Sequence, residues 1–265
     1  LVKKAWPKCT DRYLGVDRTR SYLLRSSEFA VMRNGNEDES VYVNLSFGKY
    51  AGWHSHYDQF NLNLWAFDTP VIEEVDRWGP YHNPLDTLVR MPECHNQVLI
   101  DGMVYDNRFE GAQDVQWLST DAADCFTATH RAYRYFVYAF REHGCFNIEG
   151  VVRRTVVFVK DPGYVLVMDS VADRNKPFNR AVSQYWHSPF KFRVLGPTQV
   201  RTQGRTGCLL TWAREAGLRR LETETVFDGE EVEHDGPLPN RYRLRARRWM
   251  PVEAAGMPGF ATVLY

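Results

Sequence analysis

The stretch Gly52-Trp53-His54-Ser55-His56-Tyr57-Asp58 leads into Phe60-Asn61-Leu62-Asn63-Leu64-Trp65, and these two segments point to the fold class. In the second segment apolar and polar residues alternate, which is typical of a strand with one face against a core. In the first segment one residue separates two histidines. On an extended backbone such residues point to opposite faces. We therefore expect His54 and His56 to have different roles, one at a metal ion and the other in a cleft.

Further metal-ligand candidates lie at the ends of two other apolar runs. Glu73 and Glu74 follow Pro70-Val71-Ile72, and His95-Asn96 opens the run Gln97-Val98-Leu99-Ile100. Two histidines and one carboxylate from different strand ends form a plausible zinc site, because zinc favours imidazole and carboxylate ligands. The simpler alternatives are histidines that are half-buried and hydrogen-bonded, and a carboxylate that is merely exposed.

The rest of the chain predicts an all-β protein. Short alternating or apolar runs are separated by turn signals such as Asn34-Gly35 and Asp161-Pro162-Gly163, which is the pattern of an antiparallel sandwich. We predict one large β-sandwich over residues 21–265, with residues 1–20 as a connector from an upstream domain. The predicted strand runs are 41–45, 60–66, 98–100, 135–140, 151–159, 164–169, 181–186, 194–200, 208–212, 241–249 and 261–265.

Composition narrows the classes of protein and partner. The chain has 265 residues, 44% of them hydrophobic, so it can bury a large core. Lys+Arg and Asp+Glu number 33 each, which gives no general attraction for nucleic acid or another polyanion. The five cysteines are scattered and are expected to be small buried side chains rather than a disulfide framework. No run is long enough to span a membrane as a helix, and the abrupt start without Met suggests a piece of a longer protein.

The motif order resembles the β-sandwich (C-terminal) domain of the heparinase II/III family of polysaccharide lyases. That family has a His-x-His-x-Asp segment leading into a strand, a Gly-x-Pro turn, an apolar strand ending in Asp, and a His-Asn pair opening a later strand. The corresponding residues here are His54 to Asp58, Asp68-Thr69-Pro70, Val71 to Glu74, and His95-Asn96. Residues 29–33 resemble the entry strand of the family. Two positions depart from the pattern, since Glu74 replaces the metal Asp and Asp68 replaces the Gly.

The resemblance implies a set of roles. The fold would be a large, supersandwich-like antiparallel β-sandwich, and a structural zinc or another divalent metal would be bound by His56, Glu74 and His95. Alignment with the metal Asp of the family selects Glu74 over its neighbour. His54 would face the active site as a catalytic residue, with a supporting role behind the metal loop as the alternative. The compartment would be the periplasm or the exterior of the cell.

The resemblance also implies a substrate and a partner domain. Family members cleave uronic-acid-containing polysaccharide by β-elimination, and their catalytic Tyr and Asn lie mostly in an (α/α) toroid that precedes the sandwich. Tyr81 and Arg90 fall in the loop that would face the substrate, where a planar guanidinium group suits a uronate carboxylate. The run from Arg241 to Arg247 is expected to be a solvated outer strand face, with an anionic-sugar track as the alternative. The isolated chain is expected to be inactive, and the polymer, heparin-like or alginate-like, stays open.

Two other function classes compete with this reading. A sandwich that only binds carbohydrate or braces a partner domain would use its eight Trp and 14 Tyr as stacking surfaces. A cupin-like metal enzyme also carries His-x-His, but its pattern needs a Glu three or four residues after the second histidine. Gln59 and Phe60 occupy those positions, so the cupin reading is disfavoured.

Overall fold

The computed structural model describes residues 17, 19–49, 55–75, 89–100, 105, 107–108, 110–134, 150–173, 181–213, 218–227, 231–232, 236–237, 240–249 and 259–265. Regular structure in these residues is nearly all β, and every strand pairing is antiparallel. The predicted all-β class is therefore confirmed. No helix in the described part of the chain is long and apolar enough to cross a membrane.

Nineteen strands and two 3-10 turns make up the described architecture. The strands are β1 (Tyr22–Leu24), β2 (Phe29–Arg33), β3 (Val41–Ser46), β4 (Leu62–Ala66), β5 (Thr69–Ile72), β6 (Val98–Ile100), β7 (Gln113–Ser119), β8 (Ala123–His130), β9 (Gly150–Val159), β10 (Tyr164–Asp173), β11 (Ala181–Ser188), β12 (Phe192–Gly196), β13 (Gln199–Thr202), β14 (Leu209–Trp212), β15 (Leu218–Phe227), β16 (Glu231–Val232), β17 (Gly236–Pro237), β18 (Arg241–Trp249) and β19 (Gly259–Leu264). The 3-10 turns are Pro92–Cys94 and Ala132–Arg134.

These strands form three large sheets and one small hairpin. The five-stranded sheet has the order β1-β2-β3-β4-β5, the eight-stranded sheet β12-β13-β14-β19-β10-β9-β8-β7, and the four-stranded sheet β15-β18-β11-β6. Strands β16 and β17 pair only with each other. The end of β5 reaches the four-stranded sheet, because Glu73 N–H donates to the His187 carbonyl at 2.9 Å. The five- and four-stranded sheets therefore adjoin each other at β5 and β11.

The two smaller sheets together face the large one across a shared core. Alternate residues are buried along most of β3 and β4, as the period of two requires, whereas Ala30, Val31 and Met32 of β2 are all buried. One hydrophobic cluster includes Met32 and Leu62 of the first sheet, Phe126 and Val156 of the second, and Trp186 of the third. This is the layered arrangement of an antiparallel β-sandwich, as the sequence predicts. The buried free thiols of Cys94 and Cys208 behave as the small core side chains that we expect.

A buried polar network lies inside this core. Arg154 of β9 and Asp169 of β10 face each other across the ladder and point inward, with exposed fractions of 0% and 2%. Gln184 of β11 donates to Asp169 at 2.8 Å, and its carbonyl oxygen accepts from Trp186, Trp212 and Thr262. Because each of these buried polar groups has partners, the network fixes how the two layers pack.

Several strand predictions differ from the structure. The run 194–200 is a hairpin, with β12 ending at Gly196 and β13 beginning at Gln199, because Pro197 and Thr198 form a turn between them. Strand β4 begins at Leu62 rather than Phe60, since Phe60 has a φ of +72° and leaves the extended conformation. Strands β1, β7, β8, β15, β16 and β17 were not predicted. The run 135–140 and the predicted connector, apart from Asp17, Thr19 and Arg20, lie outside the described residues.

Candidate metal centre

Three chain segments meet where the five- and four-stranded sheets adjoin. The first is the loop of residues 55–61 before β4, the second is Glu73 to Val75 after β5, and the third is residues 92–97 before β6. Val75 N–H donates to the Cys94 carbonyl at 2.9 Å, and Tyr57 N–H donates to the Arg90 carbonyl at 3.1 Å. Strand pairing and these backbone bonds together bring the three segments side by side.

The predicted ligands form one cluster in this place. Donor atoms of His56, Glu74 and His95 all lie within 4.8 Å of one another. The His95 Nδ1 and Glu74 Oε2 atoms are 2.6 Å apart, and the rings of His56 and His95 have centroids 5.3 Å apart. His95 is fully buried, whereas His56 and Glu74 are partly accessible. The cluster therefore has one side toward the core and one side that an ion can reach.

Asparagine side chains hold the ligand segments together. Asn63 receives the Glu74 N–H at 3.0 Å on its oxygen and donates to Glu74 Oε1 at 3.3 Å. Asn96 donates to the Leu62 carbonyl at 2.8 Å, and its own N–H donates to Asn61 Oδ1 at 2.8 Å. Its side-chain oxygen accepts the His187 N–H at 2.7 Å. Asn96 therefore fixes backbone near Asn61, Leu62 and His187.

His95 and Glu74 form an ion pair. Burial alone would lower the pKa of His95, but the hydrogen bond and charge of Glu74 outweigh it and raise that pKa above its ordinary value. Burial alone would raise the pKa of Glu74, but the His95 hydrogen bond and charge bring it below its ordinary value. Both shifts favour an Nδ1–H of His95 that donates to a Glu74 carboxylate.

Asp58 adds a third acidic group near the cluster. The pKa of Asp58 is raised to about 6, because the effect of burial outweighs the opposing charge of His95, and the nearby charge of Glu74 contributes to the increase. Its carboxyl receives a hydrogen bond from the Ser46 hydroxyl at 3.3 Å. The ionised form of Asp58 is thus disfavoured in the absence of a cation, and a cation nearby would favour it.

The donor set fits a small divalent ion. Two imidazoles and one carboxylate are a common zinc set, and ligands of a tetrahedral zinc lie about 3.4 Å apart. The His95–Glu74 separation of 2.6 Å is shorter than that, because a proton bridges the two atoms. The 4.8 Å limit of the cluster is longer. His56, Glu74 and His95 would hold the ion, whose positive charge would take the place of the proton between His95 and Glu74.

The other predicted site residues lie at the edge of the described structure or beyond it. His54 and Tyr81 are outside the described residues. Arg90 is half-buried, and its carbonyl supports the His56 loop through Tyr57. The structure thus brings together the three predicted metal ligands and places Arg90 beside their loop.

The arginine strand differs from its expected solvated face. Arg241 is only 8% exposed; it pairs with Glu73 and donates to the Glu74 carbonyl at 3.1 Å. Arg243 donates to the Glu93 carbonyl and pairs with Glu224. Through the bonds to Glu73, Glu74 and Glu93, β18 supports the second and third ligand segments. His187 is fully buried.

Sequence reasoning missed the groups that position the ligands. Asn61 and Asn63 were interpreted as the polar face of an alternating strand, and Arg154 as part of a strand run. The available signals were the asparagines Asn61 and Asn96 in two of the three segments and a charged residue, Arg154, within the apolar run of β9. Neither signal indicates which residues, distant in sequence, these side chains will contact.

No protein-family model and no curated protein matches the sequence. The fold, in contrast, is similar to solved polysaccharide lyases. Heparan sulfate lyase HepC from Pedobacter heparinus superposes with a TM-score of 0.70 at 15% identity, over 94% of this chain and 36% of the lyase. One heparinase III structure gives 0.72 at 15% identity over 100% of this chain and 40% of that one. Another gives 0.70 at 11% identity, over 94% and 37%. The chain thus has the fold of a β-domain in these lyases and spans about two fifths of their length.

Proposed function

We propose that this chain is the β-sandwich domain of a polysaccharide lyase of the heparinase II/III type. The observation that carries the proposal is the convergence of His56, Glu74 and His95, from three separate segments, into one donor cluster. The similarity in fold to heparinase III supports the same conclusion. In this proposal residues 21–265 form the domain and residues 1–20 connect it to an upstream (α/α) toroid. The protein is periplasmic or secreted.

The proposed reaction is β-elimination at a uronic acid of an acidic polysaccharide. A base removes the C5 proton, the electron pair forms the C4–C5 double bond, and the C4–oxygen bond breaks as an acid protonates the departing oxygen. The C5 proton is weakly acidic while the neighbouring carboxylate is charged, so the site must neutralise that carboxylate. The upstream domain supplies the base, and this chain supplies one wall of the cleft. His54 contacts the reacting sugar there, and Tyr81 and Arg90 bind the substrate.

The metal centre has a structural part in this proposal. His56, Glu74 and His95 would hold zinc or another divalent ion, which when bound supplies a fixed positive charge and a cross-link between the three segments. The residues of the chain then keep the 55–61 loop in one position, and with it the adjoining His54. The position of the 55–61 loop would therefore determine the position of the cleft wall that this chain supplies.

Metal content tests the first part of the proposal. Protein purified without added metal should contain about one equivalent of a divalent ion by elemental analysis, and His56→Ala and Glu74→Gln should lose it. Glu73→Gln is a matched control, because Glu73 neighbours Glu74 but pairs with Arg241 instead. Absence of stoichiometric metal, together with unchanged thermal stability in His56→Ala, would contradict the metal centre.

Activity tests the second part. The full-length parent should release unsaturated, ultraviolet-absorbing sugar ends from a uronate polymer, and this chain alone should not. In the parent, His54→Ala should lower turnover more than it lowers metal content, because the i, i+2 spacing of the two histidines on an extended segment is expected to give His54 a role apart from that of His56. Binding of the polymer without any such product would favour the carbohydrate-binding alternative. Full activity of this chain alone would disprove the proposed division between domains.

A further inference from the structure

Arg154 links the core of the sandwich to both histidine-bearing segments. It lies on β9 at a fully buried inward position, where the neighbouring inward residues are Val152 and Val156. Its Nη1 group donates to the carbonyl of Phe60 at 2.6 Å and to that of Asn96 at 2.7 Å. Phe60 ends the loop that carries His56, and Asn96 directly follows His95. A single guanidinium group therefore fastens both segments.

Asp169 fixes the orientation of that guanidinium group. Its two carboxylate oxygens accept from Arg154 Nε at 2.6 Å and Nη2 at 2.7 Å, in a bidentate pair. Gln184 donates to the same carboxylate at 2.8 Å. The planar fork has only one orientation that satisfies this carboxylate, so Nη1 must point at the two carbonyls. The ion pair thus fixes the positions of the ligand segments relative to β9 and β10.

The Phe60 carbonyl needs such an anchor. Phe60 has a φ of +72°, a left-handed conformation that is costly for a bulky residue. Its N–H donates to the Ser46 carbonyl at 2.8 Å, and its ring packs on Phe126 and His130. With the Arg154 bond, both backbone polar groups and the side chain of Phe60 are held. The positive φ of Phe60 lets the chain turn between the loop that carries His56 and the start of β4.

We propose that Arg154, oriented by Asp169, is a positioning residue of the metal centre and sets its affinity for the ion. The proposal rests on the metal centre of the proposed function. Groups that support metal ligands without touching the ion commonly change affinity 10- to 100-fold when they are altered. Arg154 acts on two ligands at once, through backbone that lies next to each.

The conservative variant Arg154→Lys separates positioning from charge. Lysine keeps the positive charge opposite Asp169, so the core pair is retained. Its ammonium group lacks the planar fork and cannot serve both carboxylate oxygens and both carbonyls. The matched control is Val156→Ala, on the same strand and inward face, which loses stability through a cavity but removes no hydrogen-bonding group.

The measurement is zinc affinity in competition with a chromophoric chelator, well below the unfolding temperature of each variant. Arg154→Lys should raise the Kd for zinc about 10- to 100-fold, whereas Val156→Ala should stay within about twofold of the unaltered protein. Wild-type affinity in Arg154→Lys would overturn the proposal. So would an equal loss in Val156→Ala, because affinity would then follow stability alone.

Hydrogen exchange tests the positioning role of Arg154 even if the protein binds no ion. If the unaltered protein binds no divalent ion, the metal centre fails, but the coupling of the two segments can still be measured. Arg154→Lys should accelerate amide exchange at Phe60 and Asn61 together with Asn96 and Gln97, and Val156→Ala should not. Unchanged exchange at these amides would overturn the positioning role.

Discussion

At the scale of single residues, the adjacent carboxylates Glu73 and Glu74 have opposite environments. Neighbours on extended backbone point to different sides. Glu74 meets His95 and Asn63, whereas Glu73 meets Arg241. Selection of Glu74 from the family pattern agrees with this arrangement. The extra methylene relative to Asp lets the carboxylate reach His95 from a backbone whose N–H is bound to Asn63.

Replacing the Glu74 charge should change the titration of His95. The pKa of His95 is raised by the hydrogen bond and charge of Glu74 against the effect of burial. In metal-free Glu74→Gln protein, burial would dominate and the pKa of His95 should fall below its ordinary value. NMR titration of the histidine ring signals measures this. Glu73→Gln should leave the His95 signal unchanged, and an equal shift there would refute the pairing.

His130 should contribute to acid denaturation. Burial lowers the pKa of His130 to about 3, and the charge of Arg154 adds to the effect. In the unfolded chain the pKa is about 6.5. The unfolded state therefore binds the proton first, and stability present above about pH 6.5 is lost as pH falls toward 3, by on the order of 3–5 kcal/mol.

His130→Asn tests that contribution, because its amide oxygen can still accept the Ala132 N–H but does not titrate. Between pH 6 and 4 the free energy of unfolding of the unaltered protein should fall more steeply with pH than that of the variant. The difference between the two slopes should approach about 1.4 kcal/mol per pH unit, which corresponds to the uptake of one proton on unfolding. Denaturant titrations at several pH values would show it; identical slopes would contradict it.

At the scale of elements, the β4–β5 hairpin accounts for a departure from the family pattern. Its two turn residues, Phe67 and Asp68, have φ values of +53° and +55°. Hairpins with two such residues prefer Asn-Gly or Asp-Gly. Asp68 stands where the heparinase II/III pattern has Gly, and an aspartate tolerates this conformation better than most residues. The turn is thus kept at a small cost.

Asp68→Gly should therefore stabilise the protein by about 0.5–1 kcal/mol, since glycine adopts positive φ without strain. Chemical denaturation gives the value. Asp121→Gly, in the exposed turn between β7 and β8, is the control and should not stabilise, because Asp121 has no positive φ. A loss of stability in Asp68→Gly would show that contacts of the Asp68 side chain stabilise the fold by more than its positive φ destabilises it.

The contact of β18 with the end of β5 can be measured by a double-mutant cycle. Arg241 and Glu73 are mostly buried, with side chains 10% and 22% exposed. Removing either partner leaves the other desolvated charge unpaired. We expect a coupling free energy of about 1–2 kcal/mol from Arg241→Ala, Glu73→Ala and the double variant. Additive losses would mean that the pair contributes little to the position of β5.

Elements with simple periodicity could be predicted from the sequence, and those with distant partners could not. The strands β3, β9 and β11 follow from their apolar runs. Strand β15, rich in Arg, Glu and Thr, was missed because half of its residues face outward and its pattern resembles a loop. The grouping of His56, Glu74 and His95 was predictable from motif order. Their support by Arg154 and Arg241 depends on tertiary neighbours, which spacing does not encode.

At the scale of the whole molecule, the metal centre should be linked to global stability. Its ligands and supports belong to all three large sheets, and the unfolded chain cannot present them together. An ion that binds only the folded state should add about 2.7 kcal/mol at 100 times its Kd. Thermal unfolding across a zinc series measures this gain. Glu74→Gln should show no zinc-dependent rise; a rise equal to that of the unaltered protein would place the ion elsewhere.

The order in which the chain is made bears on when the centre can exist. The bonds that frame it join positions 94 apart for Phe60 and Arg154, 91 apart for Asn96 and His187, and 167 apart for Glu74 and Arg241. During synthesis the three ligands leave the ribosome long before Arg154, His187 and Arg241 do. A nascent chain therefore carries the ligands on unsupported loops, whose closure costs entropy that no contact yet offsets. In the proposed function, loading of an ion would therefore belong to the finished polypeptide, in whatever compartment it completes its folding.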